Sequence, residues 1–233
     1  MSKKEPAKRP KKTVKKKKGK QETVMIICAH PDDEVLGAGG AISKYASEGK
    51  SVVAVIFSYG EKSHWWLKKR YTVEMRVAES KKAGQILGIT DTIFLGMKDF
   101  DLKNEMQKPE NLDLLQKVIM RYYPDRIFTH SPDDIIYADH KAVWDSVETV
   151  LDRLHYKGDV YVFNIWGQEV RVSKNPKLFV DISETFHLKT KALKCFKSQM
   201  MYIFQLLPGV YWRAFKLGRL NKTRYAEEFT KIR

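Results

Sequence analysis

Two short segments hold the side chains that can do chemistry. The first, His30-Pro31-Asp32-Asp33-Glu34, puts one imidazole and three carboxylates within five residues. Left alone, these acids repel one another. A divalent cation shared by His30 and one aspartate removes that repulsion, and imidazole nitrogen with carboxylate oxygen is a donor set that suits zinc. The second segment runs from His130 through Pro132-Asp133-Asp134 to Tyr137-Ala138-Asp139-His140. Pro-Asp-Asp is also ordinary turn chemistry, and a single histidine at a helix start is commonly a capping or surface residue. What decides between these readings is whether the elements around the two segments bring them together.

The elements point that way. Val24 to Cys28 is a run of five apolar residues, three of them β-branched. It reads as a strand over 23–28 covered on both faces, and Pro31 ends its ladder. Gly37-Ala38-Gly39-Gly40 then leads to a helix expected at about 38–48, with Gly49 as its C-cap. A second buried strand is expected at 51–58, a loop at 59–71, a helix at 73–87 capped by Gly88, and a short strand at 92–95. Pro109 opens a helix, residues 125–130 form a fourth strand, and a polar loop at 131–138 precedes a helix at 139–155. Strands at 160–164 and 179–182 and a helical pattern at 184–198 follow; residues 199–233, rich in aromatics, show little clean periodicity. Strands alternating with helices imply right-handed βαβ units. The fold class is therefore α/β, a Rossmann-like, mostly parallel sheet with helices on both faces. In such sheets ligands bind beyond the carboxyl ends of the strands, where both chemical segments fall.

Ala29-His30-Pro31-Asp32-Asp33-Glu34 after a hydrophobic strand, with a glycine-rich helix start behind it, resembles the PIG-L/LmbE-like family of zinc-dependent N-acetylglucosamine deacetylases. The Asp139-His140 pair resembles that family's second motif. The resemblance covers about residues 23–230. It implies an LmbE-like fold with Zn²⁺ (or another divalent metal) on His30, Asp33 and His140, and Asp32 as the general base. Glu34 is read as support behind these. The resemblance also gives Arg76, in Arg76-Val77-Ala78-Glu79, a substrate-side role. A surface arginine paired with Glu79 three residues on remains an equal alternative. It makes Asp99, after Leu95-Gly96-Met97-Lys98, a sugar contact. Val180-Asp181-Ile182-Ser183 with Lys189, and Tyr225-Ala226-Glu227-Glu228-Phe229, are also family-like. One position departs: where the family often has a histidine, three residues before the last ligand, this chain has Tyr137, which carries no positive charge at neutral pH. Stabilisation of the oxyanion then falls more on the metal, with Tyr137 or His130 as helper. Within the 59–71 loop, Trp65 and Trp66 beside His64 suit a lid over a sugar face or a pair packed on the body.

Composition sets the remaining bounds. The chain has 233 residues, 43% hydrophobic and 12% aromatic, enough for one domain with a proper core. Two cysteines, Cys28 and Cys195, exclude a disulfide framework and make a reducing cytoplasm the default. The net charge of +15 is uneven: residues 1–20 carry ten lysines, one arginine and one glutamate, a net +10 that leaves +5 for the rest. Residues 1–21 read as a disordered basic arm and 22–233 as a single domain. The arm is a solvating tail, or a contact to an anionic membrane face, which would put the protein at a membrane surface, or to nucleic acid. Self-association is left open. The function expected is removal of acetyl from a small-molecule or lipid-linked amino-sugar conjugate. The rivals are an amidase acting on a larger acyl group at the same site and a nucleic-acid-binding protein with a structural metal.

Overall fold

A computed structural model describes residues 21–64, 66–134, 138–165 and 174–233. A seven-stranded sheet runs through the middle of the described residues in the order β3-β2-β1-β4-β5-β7-β6. The strands are β1 (Thr23–Cys28), β2 (Ser51–Ser58), β3 (Asp91–Met97), β4 (Arg126–His130), β5 (Asp159–Phe163), β6 (Lys177–Asp181) and β7 (Ala226–Lys231). The first five pair in parallel, whereas β7 is antiparallel to both β5 and β6. The apolar runs of β1 and β2 are fully buried because helices cover both faces, as parallel sheets require. One face carries α1 (Asp33–Ser47), α2 (Lys69–Leu87), α6 (Phe186–Leu193) and α7 (Met200–Leu220); the other carries α3 (Leu102–Glu105), α4 (Pro109–Tyr122) and α5 (Ala138–Arg153). The chain turns from β1 to β2 on one side and to β4 on the other, so the β1/β4 boundary is the switch point of the sheet.

Several boundaries differ from those expected. Helix α1 begins at Asp33, not at 38, because the acid cluster itself forms its first turn, where carboxylates favour the positive end of the helix dipole. The whole glycine-rich stretch Gly37–Gly40 lies inside it, around a break at Ala38 (φ −141°, ψ 15°). Its glycines are small for packing reasons: a Cβ at Gly37 would stand 2.4 Å from the Phe163 ring, and one at Gly40 2.7 Å from Ile182. Helix α2 starts at Lys69, four residues early, since its first three residues, Lys69–Tyr71, are exposed and carry no apolar periodicity. Helix α6 stops at Leu193, short of 198, and a 3₁₀ turn, Lys197–Gln199, links it to α7. The unreadable tail is α7 and β7. Helix α7 is apolar on its outer face as well as its inner one, and buried Glu227 interrupts the pattern of β7. The basic arm, Trp65 and Tyr137 lie outside the described residues.

Candidate metal centre

The two chemical segments meet at the carboxyl ends of β1 and β4. Asp32 is the N-cap of α1 and sits in the left-handed region (φ 112°), an uncommon conformation for a residue with a Cβ. Two groups hold it there: its N–H donates to Glu34 Oε2 (3.0 Å), and its carbonyl accepts from Val35 and Leu36 N–H. The sharp turn lets His30 N–H donate to Asp33 Oδ2 (2.9 Å). It points Asp32 and Asp33 to different places.

Asp33 Oδ2 is the hub. It lies 3.2 Å from His130 Nε2, 3.5 Å from His30 Nδ1 and 3.6 Å from His140 Nε2. Burial works against its charge, but His140 and His130 together hold the carboxyl well below the usual range. Asp134 Oδ2 stands 2.8 Å from His140 Nδ1. A proton on Nδ1 is fixed by that bond, which leaves Nε2 as a lone-pair donor facing Asp33. On the other side, His30 Nε2 lies 3.2 Å from both Asp99 Oδ1 and Asp139 Oδ2. Burial lowers the His30 pKa, yet Asp139, Asp33 and Asp99 outweigh it and hold the imidazole well above its ordinary value. Ligand atoms of His30, Asp33 and His140 fall within 4.8 Å of one another, as do those of His130/Asp134/His140 and of His30/Asp99/Asp139. Two imidazoles and a carboxylate, each imidazole backed by an acid, fit a divalent cation by the chemistry of their donors.

Asp32 stands beside this group and pairs with Arg76, whose Nη1 is 3.3 Å from its Oδ2. Arg76 Nη2 also donates to Pro31 O (2.7 Å). Burial pushes the Asp32 carboxyl up to about 6, with Arg76 pulling the other way. Arg76 is buried, so the surface alternative does not hold. Glu79 instead accepts from Ser198 N–H and Oγ–H and ties α2 to the 3₁₀ turn. Glu34 accepts from Ser80 Oγ (3.3 Å), and burial followed by the negative charge of Asp32 pushes its carboxyl up to about 8.

The other expected residues are placed as follows. His130 is fully buried, stacked on His140 with ring centres 3.9 Å apart, and its Nε2 accepts the Ala29 N–H at 3.1 Å. Burial, then His140, push its pKa down to about 4, so it is a neutral ring in the floor of the site. Asp99 is buried; Lys62 N–H donates to its Oδ2 (2.9 Å) while Oδ1 faces His30. Although burial opposes its charge, His30 holds its carboxyl below the ordinary value. Trp66 is exposed, with its ring against His64. Three residues without an assigned role in the sequence reading shape the centre: Asp134 behind His140, Asp139 behind His30, and Ser80 behind Glu34. Asp139 also accepts from Phe100 and Leu102 N–H and so ties the loop after β3 to the start of α5.

A last pair supports α1 from below. The break at Ala38 leaves backbone groups unpaired, and two distant side chains take them: Glu227 accepts Gly40 N–H (3.0 Å) and Ala41 N–H (2.8 Å), while Lys189 Nζ donates to Leu36 O (2.8 Å). The two close a buried ion pair at 2.6 Å.

The chain resembles known proteins in both sequence and fold. Residues 25–151, just over half of the chain, match the family model described as PIG-L: GlcNAc-PI de-N-acetylase. A probable N-acetyl-alpha-D-glucosaminyl L-malate deacetylase 2 of Bacillus cereus is 28% identical over 183 residues, 76% of this chain and 83% of that one. The 4-oxalmesaconate hydratase of Pseudomonas putida is 26% identical over 197 residues, 77% of this chain and 74% of its own. In fold, the chain is similar to an N,N'-diacetylchitobiose deacetylase from Pyrococcus horikoshii (TM-score 0.75, 24% identity, 91% of this chain and 84% of that one).

Proposed function

The chain belongs to the PIG-L family, and from that premise we propose that it is a metal-dependent hydrolase removing the acetyl group from the amide of an N-acetylglucosamine-type conjugate. The observation that supports this reading is the convergence of His30, Asp33 and His140, with the Asp32 carboxylate left over and aimed by Arg76. Zinc is the proposed ion and His30, Asp33 and His140 its ligands; when bound, it supplies the Lewis acidity that polarises an amide carbonyl and acidifies water. Asp32 takes the proton from the attacking water and delivers it to the amine nitrogen as the C–N bond breaks, so acetate and a free amine leave. A carboxyl lifted to about 6 by burial suits both halves of that task. Arg76 keeps the carboxylate in place through Oδ2. Asp134 and Asp139 orient the two imidazoles. Tyr137 is assigned the oxyanion hydrogen bond, and Trp65 and Trp66 a sugar face.

The hydratase among the relatives gives a second reading, since addition of water to a carbon–carbon double bond uses the same acidified water and the same base. The two differ in product. The experiment is an amine- and acetate-release screen over N-acetylglucosaminyl conjugates, with metal analysis of the same sample and an unsaturated dicarboxylate panel beside it. Amine and acetate in equal amounts from a zinc-containing sample support the deacetylase. Hydration of the unsaturated acids with no amine release overturns it.

A further inference from the structure

Helix α7 is apolar on the wrong side. Ile203, Leu207, Val210 and Ala214 pack inward on the core, as an amphipathic helix requires. Yet Met201, Phe204, Pro208, Trp212 and Phe215 recur at three- and four-residue steps along the opposite face and are exposed. Met201 and Phe204 are each 71% exposed and Trp212 66%. Toward the carboxyl end the same face turns basic, with Lys216 and Arg219 exposed and Lys222 and Arg224 just beyond. No acid occurs between Met200 and Tyr225. None of these four cations has a carboxylate partner among the described residues. No helix among the described residues is long and apolar enough to cross a membrane.

We propose that this outer face of α7 docks on the surface of an anionic bilayer, with Phe204 and Trp212 in the headgroup boundary and Lys216 and Arg219 on the lipid phosphates. A helix that lies in the interface combines an apolar stripe, aromatics at headgroup level and lysine or arginine beside them. Charge selects this occupant over a second copy of the chain, because self-association across α7 would gather basic side chains from both copies with no acid on the helix to receive them. Anionic lipid supplies that counter-charge. The basic first twenty residues add to the same attraction. Trp212 also lines a cavity of about 560 Å³ that reaches Leu36 and Gly37 on α1, the helix whose first turn carries Asp33. On the function proposed above, an amphiphilic amino-sugar conjugate would then be met at the surface that holds it.

The test needs no activity, so its outcome is independent of that function. Full-length protein is sedimented with vesicles of phosphatidylcholine, with and without phosphatidylglycerol. Binding is expected only with phosphatidylglycerol and should weaken with salt. Both Phe204→Ser/Trp212→Ser and Lys216→Glu/Arg219→Glu should lower partitioning by ~10-fold or more. All four side chains are exposed, so the fold is retained, as circular dichroism would check. In the wild type, lipids brominated on the acyl chain should quench an emission component that Trp212→Phe removes. Unchanged partitioning in the apolar double variant, with no Trp212 quenching, would overturn the proposal and assign the binding to the basic arm. A wild-type dimer in light scattering that Trp212→Ser turns into a monomer would also overturn it, in favour of a second copy.

Discussion

Glu227→Gln is a small change in shape with a large expected cost. The Glu227 carboxylate accepts three hydrogen bonds in a buried place, from Gly40 N–H, Ala41 N–H and Lys189 Nζ. The amide replaces one acceptor with a donor, so at least one of these becomes a donor–donor contact, and the ammonium of Lys189 loses its counter-charge. Removing one partner of a buried pair costs about 3–5 kcal/mol. Lys189→Met keeps the stem and leaves Glu227 with its two backbone donors, so it should cost less, about 1–3 kcal/mol for the charged hydrogen bonds lost. In the double variant no buried charge is stranded, and the total should fall short of the sum by ~2 kcal/mol or more. Urea unfolding of the four proteins closes the cycle, and m-values that stay equal would license the comparison. Because the pair holds the break in α1, whose first turn carries Asp33, both single variants should also bind metal less tightly. Singles that each cost under ~1 kcal/mol, or a double variant additive within ~0.5 kcal/mol, would refute the argument that the pair is coupled through α1.

Two further predictions concern the centre. His30→Ala, Asp33→Ala and His140→Ala should each lose stoichiometric zinc, and Asp134→Asn should weaken zinc affinity ~10- to 100-fold, measured by competition with a chromophoric chelator; wild-type zinc content in any two of the alanine variants would remove the ligand assignment. Asp32→Asn should keep metal and fold but lower kcat by ~10²–10⁴-fold, whereas activity within about threefold of wild type would show that another group takes the proton.

The parallel half of the fold was readable because its strands are buried on both faces and carry runs such as Val24–Cys28 and Val52–Phe57, separated by helices with one apolar side. The carboxyl-terminal third was not, and the reason is physical. Strand β7 places Glu227 inward, where alternation calls for an apolar residue, because that carboxylate caps a broken helix and meets Lys189. Helix α7 has two apolar faces, so its moment misleads. Helix α2 begins with three exposed residues, Lys69–Tyr71, that carry no apolar periodicity.

At the centre, composition and resemblance located the segments but not the support. His30, Asp32, Asp33 and His140 stand in two short motifs, and the topology of an open sheet brings such motifs to one edge. Asp134 and Asp139 were in plain view within the second motif, yet their work depends on direction. Asp134, six residues from His140, meets its Nδ1, while Asp139, adjacent to His140, turns the other way to His30 and the loop after β3. Arg76 shows the same limit from the other side. Three residues from Glu79 on a helix, it invited a local ion pair, but Glu79 serves Ser198 and Arg76 crosses to Asp32, forty-four residues earlier. Partner choice in a buried site is set by which unsatisfied group lies within reach after folding. Spacing along one helix limits that choice without deciding it. Lys189 and Glu227, family-like but without a role when read along the chain, acquire one only when α6 and β7 close on the break in α1. The residues that touch the centre could therefore be named before those that hold it in shape.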